Sequence, residues 1–473
     1  MYNPIIAKNK NTKQKNERLM NMGTTFLILF AAAEIALVVM TFTKFGEKAA
    51  WLKNRVIVRT IETALLLGLV LLPVVHLKWR FIAALTVVAI RFIFAGISWL
   101  IGHKKINGMK KKAWSVVNCV LSTILVAVSL MPAFIFANYN GLPTTGNYTV
   151  AQVSSILVDE SRTDTYENDG SFREIPAHFF YPEGASGEFP LVVFSHGAFG
   201  YYQSNFSTYA ELASNGYVVV ALDHPHHAFF TKDTSGKTII VDSQFINDAA
   251  MIQNMDIVSA EDIFNITNEW MNLRCDDISF VIDSIEAARS DDQLSSAWHS
   301  ENNELVMNVI KSIDTDHIGC MGHSLGGAAS IELGRTRNDI DAVIDLDGTA
   351  LGEVEGFKNG KGFADETVYP VPVLVIGRKT DYNNEEELQK LDVYNNLTEH
   401  LVENAADGKI AIFSGVGHMD FTDLPLFSPF LSKMLGGQDI DNEAMMNTLN
   451  GIVLDWFNYY LKNEGELQIK AEY

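Results

Sequence analysis

The sequence predicts a chain of two unlike parts. An all-α region of three or four membrane-spanning helices covers residues 1–137, and an α/β domain covers 151–473, with a linker at 138–150. In the α/β part a mostly parallel sheet is expected between helices on both faces. Three observations predict this: a split in charge, four long apolar runs in the first part, and alternating strand and helix signals in the second.

Residues 1–137 hold 18 Lys/Arg against 4 Asp/Glu, whereas the remainder holds 18 against 53. A basic front part and an acidic back part are different physical objects. The whole chain of 473 residues carries a formal charge of −21, which excludes a nucleic-acid binder as the default reading. Three cysteines exclude a disulfide scaffold and a Cys-based zinc site. An apolar content of 48% excludes disorder. A mean hydropathy of +0.08 is high for a soluble enzyme and points to membrane segments.

The apolar runs are Met22–Phe42, Val56–Leu77, Phe81–Ile101 and Trp114–Ala137. Each reaches the roughly 20 residues that a helix needs to cross the hydrocarbon core. The first is too long, and too far from the start, for a cleavable signal peptide. Glu34, Arg59, Glu62 and Arg91 lie inside the runs and are expected to pair between helices. Lys104, Lys105 and Lys110–Lys112 precede the last run, and 138–150 is uncharged. By the positive-inside rule, this predicts a multi-pass cell-membrane protein with the acidic part outside the cytoplasm.

In the second part, short apolar runs bounded by Gly, Pro and Asp read as strands buried on both faces: Leu191–Phe194, Tyr217–Leu222, His317–Met321, Ala342–Leu346, Val373–Ile376 and Ile410–Phe413. Helical patterns lie between them at Ser207–Ser214, Asp277–Arg289, Gly326–Arg335, Glu386–Leu391 and Asn442–Leu461. Such alternation predicts a parallel, doubly covered sheet. The interruption at about 229–272 reads as a cap or lid inserted into it.

Gly322-His323-Ser324-Leu325-Gly326-Gly327 is a G-x-S-x-G sequence that ends a strand and opens a helix. A turn this sharp needs glycines on both sides, and it lifts the serine hydroxyl above the sheet. A serine hydroxyl is a weak nucleophile and needs a base and an anion-stabilising pocket. The base candidate is His418, which follows the last strand in Gly417-His418-Met419-Asp420. The pocket candidates are the backbone amides of Leu325 and of Ala198, in Ser195-His196-Gly197-Ala198-Phe199-Gly200. Asp347 and Asp381, each after a strand at the sheet's C-terminal edge, both suit the role of triad acid, and Asp345 suits it less. Phe199 and Phe421 are candidate substrate contacts, and the apolar residues Leu424, Leu426, Phe427, Phe430 and Leu431 are placed to line an acyl pocket or touch a bilayer. His224-Pro225-His226-His227 lacks the helical spacing of a ligand set and has no evident carboxylate partner except Asp223, so no metal or other cofactor is expected.

Phe194-Ser195-His196-Gly197, the Gly322–Gly327 turn, Leu346-Asp347-Gly348 and Gly417-His418 with Asp420-Phe421-Thr422-Asp423 resemble the platelet-activating-factor acetylhydrolases of the α/β-hydrolase superfamily, especially bacterial membrane-linked relatives. The resemblance covers about 150–463. It implies an α/β-hydrolase fold, Asp347 as the acid, and a calcium-independent serine esterase acting on short or oxidised acyl chains of phospholipids. Similar catalytic sets serve carboxylesterases and polyester hydrolases. The expected partners are an ester or phospholipid substrate and a lipid bilayer. A non-catalytic membrane sensor is disfavoured because serine, acid and histidine occur in the required order, and a transporter because no broken helices are apparent.

Overall fold

The computed structural model describes residues 24–43, 45, 47–102, 108–252, 258–358, 361–379 and 397–473. Their packing forms two units. One comprises Met1–Gly141 with Pro425–Met434, the other Leu142–Leu424 with Leu435–Tyr473.

The first unit is helical: α1 (Thr24–Met40), α2 (Lys48–Val70), α3 (Ile82–Gly102), α4 (Lys112–Ser129) and α5 (Met131–Ile135). Phe26, Phe30, Leu66, Val70, Phe81, Val88, Val126 and Leu130 form its apolar cluster. Two helical stretches among the described residues, Lys78–Gly102 and Lys112–Ser129, are long and apolar enough to cross a membrane. Three or four such spans were expected. The difference lies in α1, which is 17 residues long, and in α2, whose length includes Lys48, Lys53, Arg55, Arg59 and Glu62. The ionisable groups of the apolar runs do meet. Glu34 lies 2.5 Å from Arg59, Arg59 lies 2.8 Å from Glu62, and Arg91 also pairs with Glu34. Burying these charges is tolerable only because each is paired.

The Pro425–Met434 segment belongs to this helical unit. The Phe427 ring sits 5.0 Å from Phe136 and 6.4 Å from Trp79, and the Ser428 hydroxyl donates to the Ile135 carbonyl at 2.7 Å. Phe430 and Met434 are exposed.

The second unit is built on a nine-stranded sheet. Its chain carries β1 (Val150–Thr163), β2 (Phe172–Pro182), β3 (Phe189–Ser195), α6 (Phe206–Ser214), β4 (Val218–Leu222), the hairpin β5 (Phe230–Lys232) and β6 (Thr238–Ile240), α7 (Ser243–Ile252), α8 (Ala260–Asp291), β7 (Trp298–His299), α9 (Asn303–Lys311), β8 (Ile313–His323), α10 (Leu325–Thr336), β9 (Ala342–Leu346), the hairpin β10 (Val354–Lys358) and β11 (Lys361–Ala364), β12 (Val373–Arg378) and β13 (Gly408–Phe413). A final helix spans Asn442–Lys462. The strand order is β13-β12-β9-β8-β3-β4-β2-β1-β7. The six strands from β13 to β4 run parallel, while β2, β1 and β7 join antiparallel.

Successive residues of β3 serve opposite faces. Leu191 and Val193 join the cluster that also holds Ile278, Val281 and Ile282 of α8 and Ala328 and Ile331 of α10. Phe194 packs its ring 4.9 Å from Tyr209 of α6. Both faces are thus covered, which is why the central strands read as unbroken apolar runs.

The region expected as an insertion has no boundary at 272. It forms the β5–β6 hairpin, α7 and the first turns of α8, a single helix of 32 residues that continues onto the sheet. Ser259 starts this helix with a capping box: its hydroxyl accepts from the Asp262 amide at 3.1 Å while the Asp262 side chain reaches back. The expected helix at Glu386–Leu391 lies outside the described residues.

Candidate active site

The parallel strands end on one edge, and there the candidate residues collect. Ser195 closes β3, Ser324 follows β8, Asp347 follows β9, Arg378 closes β12 and His418 follows β13. Ser324 has φ 54° and ψ −122°, a region that a side-chain-bearing residue adopts only when its surroundings compel it. Asp347 and Phe199 are also left-handed, with φ of 52° and 62°. Backbone strain is therefore concentrated on this edge, about 1–3 kcal/mol per residue.

The glycines around Ser324 are demanded by close approach. A Cβ on Gly326 would stand 2.0 Å from the Ser195 carbonyl oxygen, and one on Gly322 would stand 2.2 Å from the Gly326 carbonyl carbon. Neither neighbour is a flexible side chain. Gly326→Ala is accordingly expected to cost at least about 3 kcal/mol, the upper end for overpacking, since backbone must move. A thermal-melt midpoint lowered by more than about 5 °C is the check.

His418 Nδ1 lies 2.6 Å from Asp347 Oδ2. Asp347 is further held by the Arg378 amide, which donates to Oδ1 at 3.1 Å, and by Arg378 Nε, 3.3 Å from Oδ2. With its Nδ1–H given to a carboxylate, the imidazole keeps Nε2 free to accept a proton. The ring of His323 sits 4.5 Å from that of His418, and His323 Nε2 is 3.1 Å from the His418 carbonyl. No hydrogen bond joins Ser324 Oγ to His418 among the described residues; such catalytic bonds often tighten only with substrate. Ala198 N–H and Leu325 N–H donate to no group among the described residues, whereas the Phe199 amide is committed to the His227 carbonyl at 3.0 Å. Both amides thus remain available to a developing oxyanion.

Of the other candidates, Asp381 lies outside the described residues. Asp345 is fully buried beneath the turn, its Oδ1 accepting from the Gly348 amide at 3.0 Å. Burial and the neighbouring Asp347 push its carboxyl well above the usual range, which favours the protonated form. Phe199 is partly exposed. Phe421, expected at the surface of an acyl pocket, is instead fully enclosed, its ring 5.8 Å from Phe413 at the end of the short helical turn His418–Phe421.

Sequence reasoning did not find Arg378, nor His323 as the neighbour of the base. It also missed how the remaining histidines are used. His196, His224 and His227 are buried, with ring nitrogens bonded to the Gly197 carbonyl, to Ser195 and Asp277, and to Tyr166 and Arg274.

Burial keeps these imidazoles neutral. It holds His224 down at about 4 and His323 at about 3, and pushes His196 and His227 well below the ordinary value. In the unfolded chain the same groups take up protons near pH 6.5. Below that pH the unfolded state binds more protons, so stability falls as pH falls, by up to about 1.4 kcal/mol per pH unit for each histidine. The denaturant midpoint should drop steadily from pH 6.5 to 5. A flat profile would mean that these rings titrate while folded.

Comparison with known proteins bears on this site. The family model for "Platelet-activating factor acetylhydrolase, isoform II" matches residues 154–470. Curated proteins named platelet-activating factor acetylhydrolase are similar to part of the chain: the one from Canis lupus familiaris at 25% identity over 162 residues, 33% of this chain and 34% of the relative, and the one from Bos taurus at 27% over 150 residues, 31% and 32%. The alignment thus spans about a third of the length of the curated relatives. Among solved structures, a ferulic acid esterase from Streptomyces cinnamoneus superimposes with a TM-score of 0.50 at 19% identity, covering 69% of this chain and 95% of that one. That likeness speaks for the fold, which is that of an α/β hydrolase.

Proposed function

The chain belongs to the platelet-activating factor acetylhydrolase family, whose match covers residues 154–470, and from that premise we propose that it is a membrane-anchored serine esterase working through Ser324, His418 and Asp347. Membership of the family supports a serine ester hydrolase. The triad, the anchoring and a phospholipid substrate are our reading. The observation that carries it is the 2.6 Å contact between His418 Nδ1 and Asp347 Oδ2 on the edge that carries the strained Ser324 turn.

In this mechanism His418 Nε2 takes the Ser324 proton as Oγ attacks the ester carbonyl. The negative charge on the carbonyl oxygen is met by the Leu325 and Ala198 amides. His418 then gives its proton to the departing alcohol oxygen. Water, activated by the same imidazole, releases the acid from the acyl-enzyme and restores Ser324. Asp347 holds the ring in the tautomer that both steps need and stabilises the imidazolium between them.

The two apolar helices Lys78–Gly102 and Lys112–Ser129 support anchoring in a bilayer. The Lys110–Lys112 cluster before the second of them favours a catalytic unit outside the cytoplasm. An anchor confines the enzyme near lipid and shortens the search for a substrate that leaves it.

The test is an ester panel on the full chain in detergent micelles. Glycerophospholipids with acetyl or oxidised short chains at the middle carbon should turn over at least about tenfold faster than those with long chains. One methylene too many for a hydrophobic pocket is worth roughly tenfold or more. Turnover of simple carboxylic esters with no phospholipid hydrolysis would leave an esterase and remove the lipid assignment.

A further inference from the structure

A second serine, histidine and aspartate stand in line behind the candidate oxyanion loop, and none is reachable from solvent. Ser195 Oγ lies 2.9 Å from His224 Nε2, and His224 Nδ1 lies 3.0 Å from Asp277 Oδ2. Ser195 is 1% exposed, and His224 and Asp277 are 0% exposed. A hydroxyl so enclosed cannot attack a substrate, so the array must do something other than chemistry.

Its hydrogen bonds run in one direction. Asp277 accepts from Arg173 Nε at 3.1 Å and Nη2 at 2.8 Å, and from Arg162 Nη2 at 3.0 Å. It receives the His224 Nδ1–H. The neutral ring then accepts at Nε2 from the Ser195 hydroxyl, and the Ser195 oxygen accepts from Arg274 Nη1 at 3.2 Å. The same Arg274 nitrogen donates to the His196 carbonyl, and Arg274 Nε reaches His227 Nδ1 at 3.4 Å. His196 adds two bonds: its Nε2 accepts from the His224 amide at 3.2 Å, and its Nδ1–H donates to the Gly197 carbonyl at 2.6 Å. The His227 carbonyl takes the Phe199 amide.

These bonds enclose one short stretch of backbone. The Ser195 side chain, the His196 and Gly197 carbonyls and the Phe199 amide are all tied. Ala198, whose amide is open, is what they bracket. Arg274 and Asp277 lie three residues apart on one face of α8, so a single helix supplies both ends of the clamp.

We propose that Arg274, His224 and Asp277, acting through Ser195 and His196, are positioning residues that set the direction of the Ala198 N–H in the oxyanion hole. This rests on the esterase reading above and adds to it which residues aim the hole. A misplacement of about 1 Å in such a site can cost on the order of 100-fold in rate.

The experiment uses the full chain and two mild variants, Ser195→Ala and Arg274→Lys. Exhaustive labelling with a fluorophosphonate counts active sites, and ester hydrolysis is then expressed per labelled site. In both variants kcat per site is expected to fall roughly 10- to 100-fold, with KM within about twofold and the midpoint of the pH–rate profile unmoved, because the base is untouched. In an Ala198→Pro background, which removes the amide, Arg274→Lys should add less than about threefold. Melting curves identify any variant that has lost its fold.

A kcat per labelled site within about twofold of the parent in both variants overturns the proposal, because the array is then only structural. A shifted pH midpoint also overturns it, because Arg274 then acts on the base. Absence of labelling in the parent protein defeats the esterase reading instead, so the two failures are distinguishable.

Discussion

Ser324→Ala is expected to lower kcat by about 10⁶-fold and to abolish fluorophosphonate labelling of the full chain. Removing the nucleophile of a serine hydrolase costs this much because the acyl-enzyme route is closed, while the oxyanion donors retain a residual ~10³–10⁴ over water. The fold should survive. Ser324 makes no side-chain hydrogen bond among the described residues, and alanine shares its backbone preferences, so the strained φ of 54° is no worse for the variant. Labelling undiminished in Ser324→Ala would move the nucleophile elsewhere. The proposed oxyanion loop and the His418–Asp347 pair would then need a different serine beside them, and Ser195, the serine closest to that loop in sequence, is enclosed.

Asp347→Asn is expected to cost about 10⁴ in kcat with little change in KM, and the reason is a tautomer. The Arg378 amide donates to one oxygen of this side chain and His418 faces the other. In the variant the amide oxygen goes to the Arg378 N–H, and the –NH₂ group is left facing His418 Nδ1. The ring must then accept there and carry its proton on Nε2, where it cannot take one from Ser324. Asp345→Asn is the control. That carboxyl is buried away from His418 and burial raises its pKa, so an amide in its place should change kcat by less than about tenfold. Equal losses in the two variants would count against Asp347 as the acid.

Much of the central sheet was legible from its apolar runs. Leu191–Phe194, Tyr217–Leu222, Ala342–Leu346, Val373–Ile376 and Ile410–Phe413 all fall on parallel strands, because a strand covered on both faces needs no polar alternation. The antiparallel β1 and β2 were not found by the same search. Polar residues break up both strands, Ser154, Ser155, Asp159 and Glu160 in β1 and Arg173, Glu174 and His178 in β2, so no long unbroken apolar run marks them. The start of α8 was also missed. Its signal, Ser259 followed three residues later by Asp262, is a short local one inside the stretch that reads as a lid.

The chain order of serine, acid and histidine, the glycines beside Ser324 and the apolar character of α3 and α4 are local properties, and the sequence by itself determined them. The glycines and the apolar runs follow from sterics and hydropathy within a few residues, and the order is read directly along the chain. Tertiary structure alone decided which groups share a hydrogen bond. Asp347 meets His418 across 71 positions of chain, and Arg274 reaches back 79 positions to Ser195. It also decided that Phe421, beside the histidine in sequence, turns into the core. Contacts of that range depend on the strand order and on the face each residue presents, and neither is a function of nearby residues.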